Sequence, residues 1–263
     1  MPKWAKKRSR KDATKATLSP NEQDDYSSSS YWEQRYREGV SWEWYFGFQQ
    51  LQPLFERFVP KTARVLEVGC GDKPLAWDLR ADGYTGKICS FDFAPSVISQ
   101  LDKEKKDCME KRDDTDTEFM VKVMDAREVE FEANSFDLVV DKGTIDAMLC
   151  SEEGKDNARL ICCEAGRVLA WDGWFMVVSH VSPDTAEGME LLSEALLVGL
   201  RDSTPASESM WSVDAHCGAG SDEEDREEER TPCVYMIQKR KRRFTRSSMQ
   251  RDGLDVSIRV HEY

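Results

Sequence analysis

The sequence predicts an α/β fold, a mainly parallel sheet with helices on both faces that closes at one end in an antiparallel hairpin. Three observations predict it. Short apolar runs alternate with helix-period segments from residue 64 onward, a pattern that demands right-handed crossovers between parallel strands. The first run passes directly into a glycine loop, "RVLEVGCGDKP" (64–74). The rhythm then breaks near the end, where "SMWSVDAH" (209–216) and "CVYMIQKR" (233–240) read as two strands with no helix between them.

The elements follow in chain order. Residues 1–28 are polar, basic and serine-rich and read as a disordered tail. The domain spans 29–241 and begins with an aromatic lead-in over 29–60, in which Leu51, Leu54, Phe55 and Phe58 recur at helical spacing. "RVLEV" is an apolar strand ending at Gly69. Pro74 suits the first turn of a helix that Gly83 stops. "KICSFD" (87–92) is a second strand, and "PSVISQLDKEKK" a helix with Pro95 near its start. The charged "EKRDDTDTE" reads as a loop before strands at 119–125 and 136–142. A helix over 157–169, a strand over 174–180 and a helix in "DTAEGMELLSEALLVGL" lead to the hairpin. Its insert, 217–231, is an acidic solvated loop, and 242–263 reads as a basic C-terminal tail.

Composition narrows the function. No apolar run reaches the roughly 20 residues needed to span a bilayer. The opening "MPKWAKKRSRK" lacks the apolar stretch of a secretory signal. The expectation is a soluble cytoplasmic protein without a membrane role, and the basic opening also matches the pattern of nuclear-import signals. The eight cysteines contain no C-x-x-C pair and there are only three histidines, so reduced thiols and no metal site are expected. Residues 16–216 hold 39 acids against 20 bases, a surplus of 19 negative charges, between two basic ends. Such a body disfavours nucleic acid except through the tails and suits a basic partner, such as a lysine-rich protein surface.

The glycine loop decides the cofactor. A dinucleotide fingerprint needs a third glycine, G-x-G-x-x-G, but this chain reads Gly69-Cys70-Gly71-Asp72-Lys73-Pro74. Glu67 stands at the mouth of the strand, where a carboxylate repels a pyrophosphate and attracts an amino group. Gly69 and Gly71 let the backbone pass close under a ligand. Asp92 ends the second strand, 21 residues after Gly71, in place to accept ribose hydroxyls. Asp125 ends the third, with Ala126 next, in place for the edge of an adenine. Three acids at the carboxyl ends of the first three strands, where open parallel sheets bind ligands, fit S-adenosylmethionine, which carries a sulfonium and an ammonium but no phosphate.

With these residues in place, the sequence resembles the class I, seven-strand methyltransferases, and more narrowly the methyltransferase-13-like enzymes, which include lysine methyltransferases of elongation factor 1-alpha. "YWEQRY" with "WEW", "VLEVGCGDKPL" and "FDLVVDKGTIDAML" carry the likeness, which covers residues 31–180 and more loosely the rest. It implies a Rossmann-like sheet ordered 3-2-1-4-5-7-6 with strand 7 antiparallel. It also implies an aromatic lid from Trp32, Tyr36 and Trp44, Gly69 under the methionine part, and Asp92 with Phe93 at ribose and adenine. Asp125 and Ala126 are then at the adenine edge, and Lys142 reaches the cofactor.

The resemblance points to methyl transfer onto a lysine of a basic protein, elongation factor 1-alpha being one candidate. Asp141, just past the fourth strand, is expected to face the substrate amine, with Trp42, Trp44 and Tyr45 around its methylene stem. Two alternatives stay open: a small-molecule methyltransferase, and a non-catalytic protein that binds the cofactor.

Overall fold

The computed structural model describes residues 26–39, 41, 43–110, 119–217, 232–242 and 258–262. The basic N-terminal cluster, Trp42, the charged stretch 111–118, nearly all of the acidic hairpin insert and most of the C-terminal basic stretch lie outside the described residues.

The sheet grows from Val65–Val68 (β1), whose four residues are all buried, as a strand covered on both faces must be. It pairs in parallel with Ile88–Asp92 (β2) on one side and Phe136–Lys142 (β4) on the other. Phe119–Val123 (β3) adds beyond β2, and Leu169–Ser179 (β5) beyond β4, both in parallel. Ser209–Cys217 (β6) and Cys233–Lys241 (β7) form the predicted hairpin, with β7 antiparallel to both β5 and β6. The order of the first seven strands is 3-2-1-4-5-7-6, as expected.

Side-chain alternation along each strand divides the core into two layers. Leu66, Val68, Val139, Phe175 and Val177 face one way, against Ala158, Ile161, Cys162 and Ala165 of Gly154–Val168 (α6). Behind them lie Leu192, Leu196 and Leu200, from a helix that runs from Ala186–Glu190 through a π-helical stretch into Leu197–Ser203. Val65, Leu138, Val140, Met176 and Val178 face the other way, against Leu51, Leu54 and Phe55 of Phe48–Phe58 (α2) and Leu79 of Ala76–Ala81 (α3). The remaining helices are Ser29–Arg37 (α1) in the lead-in, Pro95–Glu110 (α4) after β2, and Thr144–Leu149 (α5) after β4.

Three features depart from the sequence reading. The stretch read as a C-terminal tail contains an eighth strand, Ile258–Glu262 (β8), parallel to β6 at the sheet edge. Its Arg259 pairs with Asp214 at 3.2 Å. The alternation in "VSIRVHE" was the signal for it. Next, Cys217 and Cys233 are disulfide-bonded, whereas every thiol was expected to be reduced. The hairpin sets them opposite each other with Cα atoms 4.4 Å apart, within bonding range. Finally, Lys239 of β7, where the basic C-terminal end begins, is turned inward and buried, and donates to Gly166 O and Leu169 O at 2.8 Å each. Burial lowers its pKa to about 8.

Phe55 is fully buried and meets the rings of Phe48 and Tyr84, so it anchors the lead-in to the sheet. Phe55→Ala is expected to cost about 3–5 kcal/mol, read as a lower urea midpoint at unchanged slope. A cost below about 1 kcal/mol would contradict this packing.

Candidate functional site

Chain connections leave β1 and β4 in opposite directions, so a crevice opens at the carboxyl ends of these neighbouring strands. A cavity of about 340 Å³ fills it. Its floor is the glycine loop after β1 and its walls are the ends of β2, β4 and β5, with α5 to one side and the aromatic lead-in above.

Two buried carboxylates shape the floor. Glu67 accepts from Leu75 N–H at 2.8 Å and from Ser90 Oγ at 2.7 Å. Asp92 accepts from Gly71 N–H and Ala94 N–H, each at 3.0 Å. Burial raises the Glu67 carboxyl to about 7 and that of Asp92 to about 6, although these hydrogen bonds and, for Glu67, the Lys142 charge oppose the rise. Gly69 turns the chain at φ +56°, and a Cβ there would lie 2.0 Å from Thr144 Oγ1. Only glycine fits, on grounds of both conformation and space. Above Gly71 hangs the Tyr36 hydroxyl, 3.1 Å from where a Cβ would stand.

The lead-in forms an aromatic roof. The Trp32 ring stacks on Tyr36 at 5.9 Å and meets Trp44 edge-on at 5.6 Å, while its indole N–H donates to Tyr26 O at 2.7 Å. Two polar ties fasten the roof to the domain. Glu33 of α1 accepts from Ser96 N–H and Oγ on α4. Lys142 Nζ, at the end of β4, donates to Glu43 Oε1 at 2.7 Å and Trp44 O at 3.0 Å.

Ten of the residues singled out from sequence line this one cavity: Trp32, Tyr36, Trp44, Tyr45, Glu67, Gly69, Gly71, Asp92, Phe93 and Lys142. Three stand elsewhere. Asp125 lies two residues past the end of β3 and is held by Arg127, whose guanidinium and backbone N–H both donate to it. Those bonds keep its carboxyl below the ordinary range. Ala126 packs against the α6 side of the core. Asp141 is fully buried, not facing a substrate amine. It shares the strand face of Val139, which points to α6, and its carboxylate accepts the Ile145 N–H at the start of α5. Burial pushes its pKa up to about 8.

The acid at the cavity wall is instead Asp146, one helical turn further on. It is buried and accepts from Tyr45 Oη at 2.6 Å, Ser179 Oγ at 2.7 Å, His180 N–H at 3.0 Å and His180 Nδ1 at 2.7 Å. Burial raises its pKa, but hydrogen bonds from His180 and Tyr45, the His180 charge and the Ser179 bond together bring it below the ordinary value. Tyr45 reaches it from a left-handed backbone conformation, φ 58°, uncommon for a non-glycine residue and frequent at functional sites. Sequence reasoning placed Tyr45 around the methylene stem of the substrate lysine but missed Asp146 and His180. The signal was present, since Ser179-His180 closes the fifth strand at its carboxyl end, the same rule that picked out Asp92.

These groups fit a cationic cofactor. The floor offers carboxylates and a backbone that accepts no side chain at Gly69, and Pro74 stands where a dinucleotide loop needs its third glycine. A methyltransferase-domain family profile matches residues 60–234. The chain belongs to the methyltransferase-domain family. S-adenosylmethionine is the cofactor that this family implies, supplying an electrophilic methyl group when bound; Glu67, Gly69, Asp92 and the aromatic roof are the groups placed to hold it. Among curated relatives, the chain is 28% identical over 211 residues to an eEF1A lysine and N-terminal methyltransferase of Danio rerio, covering 80% of this chain and 27% of that protein. It is 29% identical over 175 residues to EEF1A lysine methyltransferase 4 of Mus musculus, covering 62% and 65%. To the Homo sapiens eEF1A lysine and N-terminal methyltransferase it is 31% identical over 166 residues, covering 62% and 23%. The chain thus spans from about a quarter to two thirds of the length of these relatives.

The raised Glu67 carboxyl of this methyltransferase domain predicts how cofactor binding depends on pH. An ammonium near Glu67 favours its ionised form, so binding releases a proton wherever this group is protonated in the free protein. Affinity for S-adenosylmethionine is therefore expected to rise from pH 5 to about 7 and then level off, by up to about tenfold per pH unit for each proton released. Calorimetry in two buffers of different ionisation enthalpy reads this directly. An affinity flat across pH 5–7 with no proton release would contradict it.

Proposed function

We propose that this chain transfers a methyl group from S-adenosylmethionine to a lysine of a protein substrate, with elongation factor 1-alpha as the candidate. The observation that carries the reading is an acid-walled cavity at the switch point of a methyltransferase-domain chain whose relatives are named eEF1A lysine methyltransferases. The acidic surplus of the domain suits recruitment of a basic surface.

The chain's own residues supply position and electrostatics. Glu67 and Asp92 fix the cofactor's orientation, and the roof of Trp32, Tyr36 and Trp44 keeps water from the reacting groups. Lys142 holds that roof down through Glu43 and the Trp44 carbonyl. A lysine must arrive neutral to react, and only about one in a thousand is neutral at pH 7.4. Asp146 and its partners stand on the wall where that amine enters.

The test is to incubate the chain with methyl-labelled S-adenosylmethionine and either purified elongation factor 1-alpha or cell lysate. Label is expected in protein, on lysine, and lost when the modified lysine is replaced by arginine. Asp92→Ala is expected to lower kcat/KM by about ten- to a hundredfold, the loss of a hydrogen-bonding anion worth about 1.5–3 kcal/mol. Label recovered only in small molecules would favour a small-molecule acceptor, and no label would favour a non-catalytic binder; either result overturns the reading.

A further inference from the structure

The cavity crosses the sheet from β2 to β5, and its two ends differ in what they can hold. Glu67 and Asp92, on β1 and β2, form the cofactor end. Ser179 closes β5, two strands from β1 and so about 10 Å from Glu67. With the cofactor over β1 and β2, the β4–β5 end is left for an acceptor. Tyr45 lines that end together with Ala147 and Met148 of α5. Its hydroxyl donates to Asp146 Oδ2 at 2.6 Å, a tie across 101 residues of chain. Its ring rests on Gly143, where a Cβ would lie 3.1 Å from ring carbon Cε2. Gly143 opens α5 at φ +85° and Tyr45 stands at φ 58°, so two left-handed residues meet here. A non-glycine residue keeps that conformation only where its surroundings fix it. The fixing group is Asp146, itself buried and held to the end of β5 by Ser179 Oγ and the His180 N–H. Burial and the Asp146 charge both raise the Tyr45 pKa, so its hydroxyl keeps the proton it donates.

We propose that Asp146 is a positioning residue that locks Tyr45 as the wall along which the methylene stem of the acceptor lysine lies. This rests on the lysine reading given above. Residues 43–45 act as a strap with three fastenings. Glu43 and the Trp44 carbonyl are held by Lys142 at the end of β4, and the Tyr45 hydroxyl is held by Asp146 on α5. The Trp44 ring belongs to the roof over the cofactor and meets the Tyr45 ring edge-on at 6.4 Å. One strap thus serves both ends of the cavity: Trp44 covers the cofactor and Tyr45 borders the acceptor. A lysine stem packs its methylenes on an aromatic face and gains from the ring's charge distribution at its cationic head. The tie to Asp146 is a charge-assisted hydrogen bond, about twice as strong as a neutral one. Without it the ring is free to leave its left-handed backbone well, and the wall is lost.

Tyr45→Phe removes one hydroxyl and keeps the ring. A stem wall is touched equally before and during transfer, so its loss raises KM and spares kcat. In the full chain carrying Tyr45→Phe, KM for the labelled protein substrate is expected to rise at least about fivefold, as the loss of a hydrogen bond to a charged group implies. kcat is expected to stay within about threefold, and calorimetric affinity for S-adenosylmethionine to stay unchanged. Asp146→Ala cuts the same bond from the other side, so adding Tyr45→Phe to it is expected to change KM by less than about twofold. Tyr45→Phe decides alone if the alanine variant does not fold. A smaller rise in KM, a larger fall in kcat, or a matching loss of cofactor affinity in Tyr45→Phe overturns the inference and leaves the lysine reading standing. So does a double variant in which the two losses multiply. A wild-type chain that labels no lysine overturns that reading together with the inference.

Discussion

Glu67 and Asp92 hold the two ends of the glycine loop, and the rest of the site is built on the shape they impose. One receives Leu75 N–H and the Ser90 hydroxyl, the other Gly71 N–H and Ala94 N–H. Burying a carboxylate is costly unless hydrogen bonds replace its water, and here the loop backbone does so. The burial that raises both pKa values is also what makes the floor of the cavity a place for positive charge. A pyrophosphate would meet the Glu67 carboxylate there, whereas an ammonium meets a complementary partner, and Asp92 is left to accept ribose hydroxyls. The choice of cofactor is in this sense a consequence of how the loop is held.

The roof follows the same logic of dual use. Lys142 closes β4 and ties Glu43 and Trp44 to it, so the lid is fastened to the strand that borders the switch point. α1 is tied separately to α4 through Glu33 and Ser96. The aromatic rings thus cover the cofactor space from two anchored ends. Lys142, which the family resemblance sends to the cofactor, lines the cavity and also fastens the roof through Glu43 and the Trp44 carbonyl.

Much of the fold was legible because its signals are local. A four-residue apolar run ending in glycine and a hairpin without a helix mark the strands and the antiparallel end, while the strand order came from the family resemblance. Glu67, Gly69 and Asp92 were legible for the same reason. Asp141 and Asp146 were not separable, because the choice depends on which sheet face carries the cavity. Asp141 has the parity of Val139 and is turned under α6, while the short helix α5 returns Asp146 to the cavity wall. The third strand was read two residues too long: β3 ends at Val123, and Asp125 beyond it is held by Arg127. The Cys217–Cys233 pairing depends on hairpin register, and β8 on recognising a period-two run inside a basic segment.

The central claim is that two buried acids make this loop a site for a phosphate-free cation. Calorimetric titration of the purified chain with S-adenosylmethionine and, in parallel, with NAD at pH 7.5 tests it most directly. Binding of S-adenosylmethionine with a Kd on the order of micromolar, equivalent to about 8 kcal/mol, and no binding of NAD is the predicted result. Binding of NAD at comparable affinity would contradict the account.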